Sequence, residues 1–246
     1  MDRSLYVSMS GAKETLRAQA ATSHNLANVA TTGFRADLTA FVSHALRGPG
    51  FESRVYATTT SLGWKADSGA LVATGRDLDV AINGAGWFAV QDRNGNEAYT
   101  RAGDLRLTAD GQLQNGAGYT LLGEDGPITI PPHASLFIAA DGAISIVPLG
   151  QTAETVSTVA RLKLVNPEPA RLERGADGLF RLRDGDTAPA DATVRVAGGS
   201  LESSNVNAAA ALVEMIELAR RFELQLKAVR TTEENARAAA ALLRLG

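Results

Sequence analysis

The chain has 246 residues, of which 45% are apolar and 21% charged, with a formal net charge of −3. That size suits one sizeable domain or two small ones, and the balance of apolar to charged residues excludes global disorder. The near-neutral charge and the lack of a Lys/Arg run give no electrostatic case for nucleic acid. There is no cysteine, so disulfides, thiol catalysis and Cys-based zinc sites are excluded. No stretch approaches the roughly 18 apolar residues of a membrane span. Met1-Asp2-Arg3-Ser4-Leu5 lacks a basic segment followed by an apolar core, so no cleaved secretory signal is expected.

In chain order, a first helix is expected from about Ser4 to Asn28, with Leu5, Met9, Ala12, Leu16, Ala20 and Ala27 on one side. Thr31-Thr32-Gly33-Phe34 breaks it, and Gly33 suits a positive φ. On this placement a Gly33→Val change should cost the terminal helices and spare the rest. Residues 36–54 are ambiguous, Gly48-Pro49-Gly50 is a loop, and Val55 to Thr74 reads as extended.

Nine glycines between Asn83 and Gly126 then mark a body of short strands and tight turns. Leu78 to Ile82 alternates with period two, and Asn83-Gly84 reads as a hairpin turn into Trp87-Phe88-Ala89-Val90. Further strands are expected at Leu105–Leu107, Tyr119–Leu122, Ile128–Ile130, Ala143–Ile146 and Arg161–Val165. Pro167 and Pro169 interrupt the pattern. A second small β region spans about 172–201 before Asn205 or Asn207 caps the last helix.

The last helix carries a seam. Ala208, Leu212, Met215, Ala219, Phe222, Leu226, Val229, Ala236, Ala240 and Leu243 recur at 4-3 spacing, broken only at Glu233. A helix of this length extends about 54 Å. Eleven alanines between Ala208 and Ala241 permit close approach of neighbouring helices, and Glu214, Glu217, Arg220, Arg221, Glu223 and Lys227 flank the stripe with both signs.

No enzyme constellation survives inspection. Gly84-Ala85-Gly86-Trp87-Phe88-Ala89 imitates a dinucleotide fingerprint, but a strand follows it where a helix is required. Ser10-Gly11-Ala12-Lys13 lacks the partner motifs of serine acyl-transferases. Asp92, Asn94 and Asn96 imitate a calcium loop, yet Glu97 replaces the glycine and Gly103 the bidentate glutamate. His24, His44 and His133 have no metal-ligand spacing, and Asp77 with Asp79 has no acid/base partner. No catalytic residue, cofactor or metal is expected.

Ser23-His24-Asn25-Leu26-Ala27-Asn28-Val29-Ala30-Thr31-Thr32-Gly33-Phe34-Arg35 resembles the N-terminal signature of the flagellar rod and hook axial proteins, with His24 in place of an asparagine. Leu201 to Asn207, then Glu214-Met215-Ile216 and Arg221-Phe222-Glu223, resemble the matching C-terminal signature. Thr74 to Ile82 and Tyr99-Thr100-Arg101-Ala102-Gly103 are similar to the family's core strands. Within that family the opening residues and compact length look most like the proximal rod members, with the distal rod members as alternative.

The resemblance implies an α+β fold in which long N- and C-terminal helices pair as a coiled-coil-like module around an inserted all-β body. The expected division is a helical domain at 1–36 and 202–246, a linking region at 37–77 and 172–201, and a β domain at 78–171. It implies a structural role in the periplasmic rod, export through the flagellar type III apparatus, and partners that are other rod proteins and copies of the chain, without nucleic acid or membrane insertion. The implied assembly interface comprises Leu5, Met9, Leu16, Asn25, Leu26, Asn28, Gly33, Phe34, Asn205, Leu212, Met215, Ile216, Ala219, Phe222, Leu226 and Val229. The competing class is a secreted enzyme or carbohydrate-binding module whose β body acts while the helices dimerise.

Overall fold

The computed structural model describes residues 3–45, 55–151 and 155–243, so the expected Gly48-Pro49-Gly50 loop lies outside the described residues. Two helices, α1 (Arg3–Ala27) and α2 (Ala208–Leu243), flank a long run of strands. In order these are β1 (Asp37–Ala45), β2 (Val55–Trp64), β3 (Leu71–Ala73), β4 (Val80–Asn83), β5 (Trp87–Gln91) and β6 (Glu97–Thr100). Next come β7 (Leu105–Leu107), β8 (Leu113–Asn115), β9 (Thr120–Gly123), β10 (Gly126–Pro127), β11 (His133–Ile138) and β12 (Ala143–Pro148). The last six are β13 (Ser157–Arg161), β14 (Leu164–Val165), β15 (Leu172–Arg174), β16 (Phe180–Leu182), β17 (Arg195–Gly198) and β18 (Ser200–Glu202). This is the α+β class expected.

The chain divides into two compact units. One comprises Met1–Asn28, Ala36–Lys65 and Val206–Gly246; the other comprises Val29–Arg35 and Ala66–Asn205.

In the first, the terminal unit, α1 packs along α2 and also against the antiparallel β1–β2 hairpin. Within the ambiguous stretch 36–54, Asp37–Ala45 is therefore one strand of an antiparallel pair that belongs with the helices. Glu14 anchors it: one carboxylate oxygen accepts the Thr59 amide at 2.9 Å, and the Glu14 carbonyl accepts the Thr59 hydroxyl at 3.0 Å. The Thr59 amide, opposed by burial and helped by Arg17, holds the Glu14 carboxyl below its usual value. Asn207 caps α2, its side-chain oxygen accepting the Ala210 amide at 3.1 Å.

The second unit, the β body, has one sheet ordered β15-β16-β6-β5-β9-β8-β7, with β10 on β9 and β14 on β5. The β11-β12-β13 sheet and the pairs β17-β4 and β18-β3 complete it. Its core is Val80, Ile82, Phe88, Val90, Leu105, Leu113, Leu121, Ile144, Ile146 and their neighbours, all drawn from within the body. Residues 172–201, read from sequence as part of a linking region, supply β15 to β18 here.

Three expected strand features of the body differ in the structure. Asn83-Gly84 is not the turn of a β4–β5 hairpin, because β4 pairs with β17 and β5 with β6, β9 and β14. The carbonyls of Ile82 and Gly84 accept the Arg101 guanidinium instead, at 3.4 and 2.6 Å. The positive φ of Gly84 (92°) and Gly86 (131°) redirects the chain. The expected Arg161–Val165 strand is likewise split between β13 and β14, and Ile128–Ile130 supplies a single bridge, Thr129 to Gln112.

Candidate functional site

On α2 the less exposed positions are Ala211, Met215, Leu218, Phe222, Gln225, Val229 and Thr232, with Ala219 beside them. The 4-3 spacing is the one expected, but its phase is not: Met215, Phe222 and Val229 are shared, while Ala211, Leu218 and Gln225 replace Leu212, Ala219 and Leu226. The reason lies in α1, whose Gly11 would place a Cβ 3.0 Å from the Gln225 amide group. Glycine at that point lets Gln225 come close, and Ala12, Thr15, Ala18 and Thr22 continue a small-residue buried face. Of the α1 residues expected to share a stripe, Leu5 is half-buried, whereas Met9 and Leu16 are exposed.

The turned-out residues make a second apolar face. Leu212 is 49% exposed, Val213 57%, Ile216 55% and Leu224 67%. At 100° per residue, Val213, Ile216 and Leu224 lie on the side of α2 roughly opposite the face that meets α1. Leu226, 39% exposed, stands at the edge between the two.

The signature asparagines close the turn after α1. Asn25 clamps Asp37 reciprocally, donating to its carbonyl at 2.9 Å and accepting its amide at 2.7 Å. His24 lies 2.8 Å from the Asp37 carboxylate, and Asn28 donates to the His24 carbonyl at 2.9 Å. Leu26 is half-buried.

In the β body three signature segments, far apart in sequence, meet at one buried charge cluster. Glu202, 1% exposed, receives Arg35 at 2.6 Å and the Gly69 amide at 2.9 Å on one oxygen, and Arg101 at 2.9 Å on the other. Both guanidinium groups lie over the Trp87 ring, at 5.9 Å for Arg35 and 5.6 Å for Arg101. Trp87 in turn stacks obliquely on Phe180 at 4.5 Å. Burial lowers Arg101 to about 10, against the pull of Glu202 and with the repulsion of Arg35.

Main-chain links bind the same segments. Gly33 donates to the Glu202 carbonyl at 2.8 Å, and Asn205 to the Phe34 carbonyl at 3.2 Å. Arg174 sits over the Phe34 ring at 5.2 Å and donates to the Arg35 carbonyl at 2.7 Å. Gly33 has φ 66°, as expected, but it lies in the β body, so the expectation that its replacement would spare that body is overturned. Asn205 is not the helix cap; its side chain donates to the Asp67 carbonyl at 2.8 Å.

The sequence signalled Arg35, Arg101 and Glu202 only as members of their motifs, and nothing in their spacing announces that they meet.

No catalytic centre emerges among the described residues. Asp92, which is buried, spends one oxygen on the Asn94 and Asn96 amides and the other on Arg181, the bonding of a turn closed by an ion pair rather than of a calcium loop. The 470 Å³ hollow lined by Asp92, Arg93, Asn94, Tyr119 and Asp177 thus offers carboxylates already held by Arg181. Asp79 is bound by Thr74 and Arg76. Among the described residues no group of three or more His, Cys, Asp or Glu is placed to hold a metal ion. Nor is any helix among them long and apolar enough to cross a membrane.

Comparison with known proteins places these features. Residues 5–35 match the family described as flagella basal body rod protein, residues 81–146 the flagellar hook protein FlgE/F/G D1 domain, and residues 197–242 the flagellar basal body rod FlgEFG protein C-terminal. The flagellar basal-body rod protein FlgF of Escherichia coli (strain K12) is 43% identical over 249 residues, covering 99% of both chains. FlgF of Salmonella typhimurium is 42% identical over 241 residues, covering 96% of each. FlgG of Buchnera aphidicola subsp. Schizaphis graminum is 34% identical over 254 residues, covering 94% of this chain and 96% of that one. A match of this extent, carried at both ends and in the middle, means that the chain belongs to the flagellar basal-body rod protein family, most like the members named FlgF, and is a structural protein rather than an enzyme.

Proposed function

We propose that the chain assembles with copies of itself and with other rod proteins into the proximal part of the rod, and that it passes torque along that rod across the periplasm. The observation that carries this is the second face of α2. A helix whose one face is used against α1 still presents Leu212, Val213, Ile216 and Leu224 to solvent, and exposed apolar side chains grouped in this way mark a surface for a partner. The flanking Glu214, Glu217, Arg220 and Arg221 supply both signs for neighbours packed side by side. The 4-3 spacing of the inner face supports coiled-coil-like pairing of the two helices.

The assembly residues divide accordingly. Leu212 and Ile216, with Met9 and Leu16 of α1, serve contacts between subunits. Met215, Phe222 and Val229 hold the module together, and Gly33, Phe34 and Asn205 fix the segments that connect it to the β body. An interface in which one patch meets a different patch on the next copy propagates as a helix rather than closing on itself. Export through the flagellar type III apparatus belongs to the same reading and rests on family membership.

Electron microscopy of basal bodies from cells lacking this chain tests the proposal. Rods should end short of full length, cells should lack filaments, and the wild-type chain should restore both. Complete rods and normal swimming without the chain would overturn it.

A further inference from the structure

The charge cluster in the β body is unbalanced. One carboxylate, Glu202, faces two guanidinium cations, Arg35 and Arg101, and all three side chains are at most 4% exposed. Arg101 is partly provided for by the Ile82 and Gly84 carbonyls. Arg35 is not: its Nη1 is 2.6 Å from Glu202, yet Nε, Nη1 and Nη2 are buried without an aligned hydrogen-bond acceptor. A buried cation with poorly satisfied donors opposes folding unless its counter-charge is present.

The two halves of this pair come from opposite ends of the chain. Arg35 ends the segment 29–35 that follows α1, and Glu202 ends β18, shortly before α2. Backbone contacts hold 201–205 without Arg35: Ser203 donates to Ala70, and Gly69 approaches Ser203 so closely that a Cβ there would sit 1.8 Å from its carbonyl oxygen. Segment 201–205 thus has docking contacts of its own. Segment 29–35 brings a cation whose one counter-charge among the described residues is Glu202.

We infer that Arg35 is a conditional-docking residue. It makes seating of 29–35 on the β body depend on prior or simultaneous seating of 201–205, so that the two connections to the helices close together. Arg35 does this at the expense of stability, since an apolar side chain of similar length would fill the same site without an unmet charge.

Amide hydrogen exchange on the full-length chain tests this, with Gly33, Ser203 and Asn205 as reporters and Ala89 and Leu113, bonded within the body, as controls. Glu202→Gln keeps the shape and the main-chain bonds but removes the counter-charge. Exchange at Gly33 and Asn205, whose bonds join 29–35 to 201–205, should rise about a hundredfold, the scale of breaking a buried ion pair, with Ser203, held by Ala70, and the controls Ala89 and Leu113 unchanged. Arg35→Met should leave the reporters within about threefold of wild type. Arg35→Met with Glu202→Gln should recover at least about tenfold of the protection lost in Glu202→Gln alone. If Glu202→Gln does not fold, restoration of the folded body by Arg35→Met supports the inference and failure to restore it overturns it. The inference is also overturned if Arg35→Met opens 29–35 as far as Glu202→Gln does, if the double variant is no better protected than Glu202→Gln, or if Glu202→Gln changes none of the reporters.

Discussion

The Gly33 amide donates to the Glu202 carbonyl at 2.8 Å, joining the strand that leads toward the last helix to the turn that leaves the first. The entry and exit of the β body are thereby stitched to each other, and Gly33 is pressed between Glu202 and Arg101.

That position has little tolerance. With φ at 66°, a Cβ on Gly33 would sit 2.4 Å from the Arg101 carbonyl carbon and 2.7 Å from the Ala102 nitrogen. The left-handed conformation costs a β-branched residue about 1–2 kcal/mol, and the backbone clash adds to it. Gly33→Val should therefore lower the stability of the β body by about 3 kcal/mol or more, measurable as a shift in its denaturant midpoint. A loss confined to the helices would contradict the position of Gly33.

Two aspartates on one helix should behave oppositely. Phe222→Asp places a charge on the face of α2 that meets α1, and should destabilise the terminal unit by about 2–4 kcal/mol while the body's near-ultraviolet signal persists. Ile216→Asp, on the outward face, should change monomer stability by less than about 0.5 kcal/mol yet abolish incorporation into rods. Thermal melts of the purified chains, combined with microscopy of complemented cells, separate the two effects.

Tyr99→Phe tests a buried polar contact. The Tyr99 hydroxyl accepts the Ala188 amide at 2.6 Å and donates to Glu97 at 3.0 Å, and burial, eased by the Ala188 amide and reinforced by Glu97, pushes the phenol up to about 12. Removing the oxygen strands a buried amide, which costs about 1–3 kcal/mol. Faster exchange at Ala188, without change at Leu113, is the expected readout.

The hairpin should loosen in acid. Glu14 has its carboxyl lowered below 4.5 in the folded chain, chiefly by the Thr59 amide. Its contribution is complete above that unfolded value and is lost as pH falls through the lower folded one. Exchange at Thr59 should thus be insensitive to Glu14 ionisation near neutrality and accelerate, beyond the intrinsic trend, below pH 4.5. Glu14→Gln should abolish that acid limb.

Local chemistry was legible in the sequence. The 4-3 repeat of α2, the break at Thr32-Gly33, the positive φ of Gly33 and the strand-and-turn alternation of the body each arise from near neighbours along the chain, so spacing and residue type reveal them. The α+β class followed from where glycine is scarce and where it is dense. What the sequence left open was every choice made by a distant partner. Two stripes on α2 share Met215, Phe222 and Val229 and satisfy the same spacing, and Gly11 on α1, by admitting Gln225, favours the one that turns Ala211, Leu218 and Gln225 inward and leaves Leu212 outside. Likewise β4 could pair with β5 or with β17, and Arg101, by taking the Ile82 and Gly84 carbonyls, sent it to β17. Arg35, Arg101 and Glu202 each look like surface charges on their own segments. Only the folded chain brings them together out of water, because a buried charge is defined by what surrounds it and not by its place in the sequence.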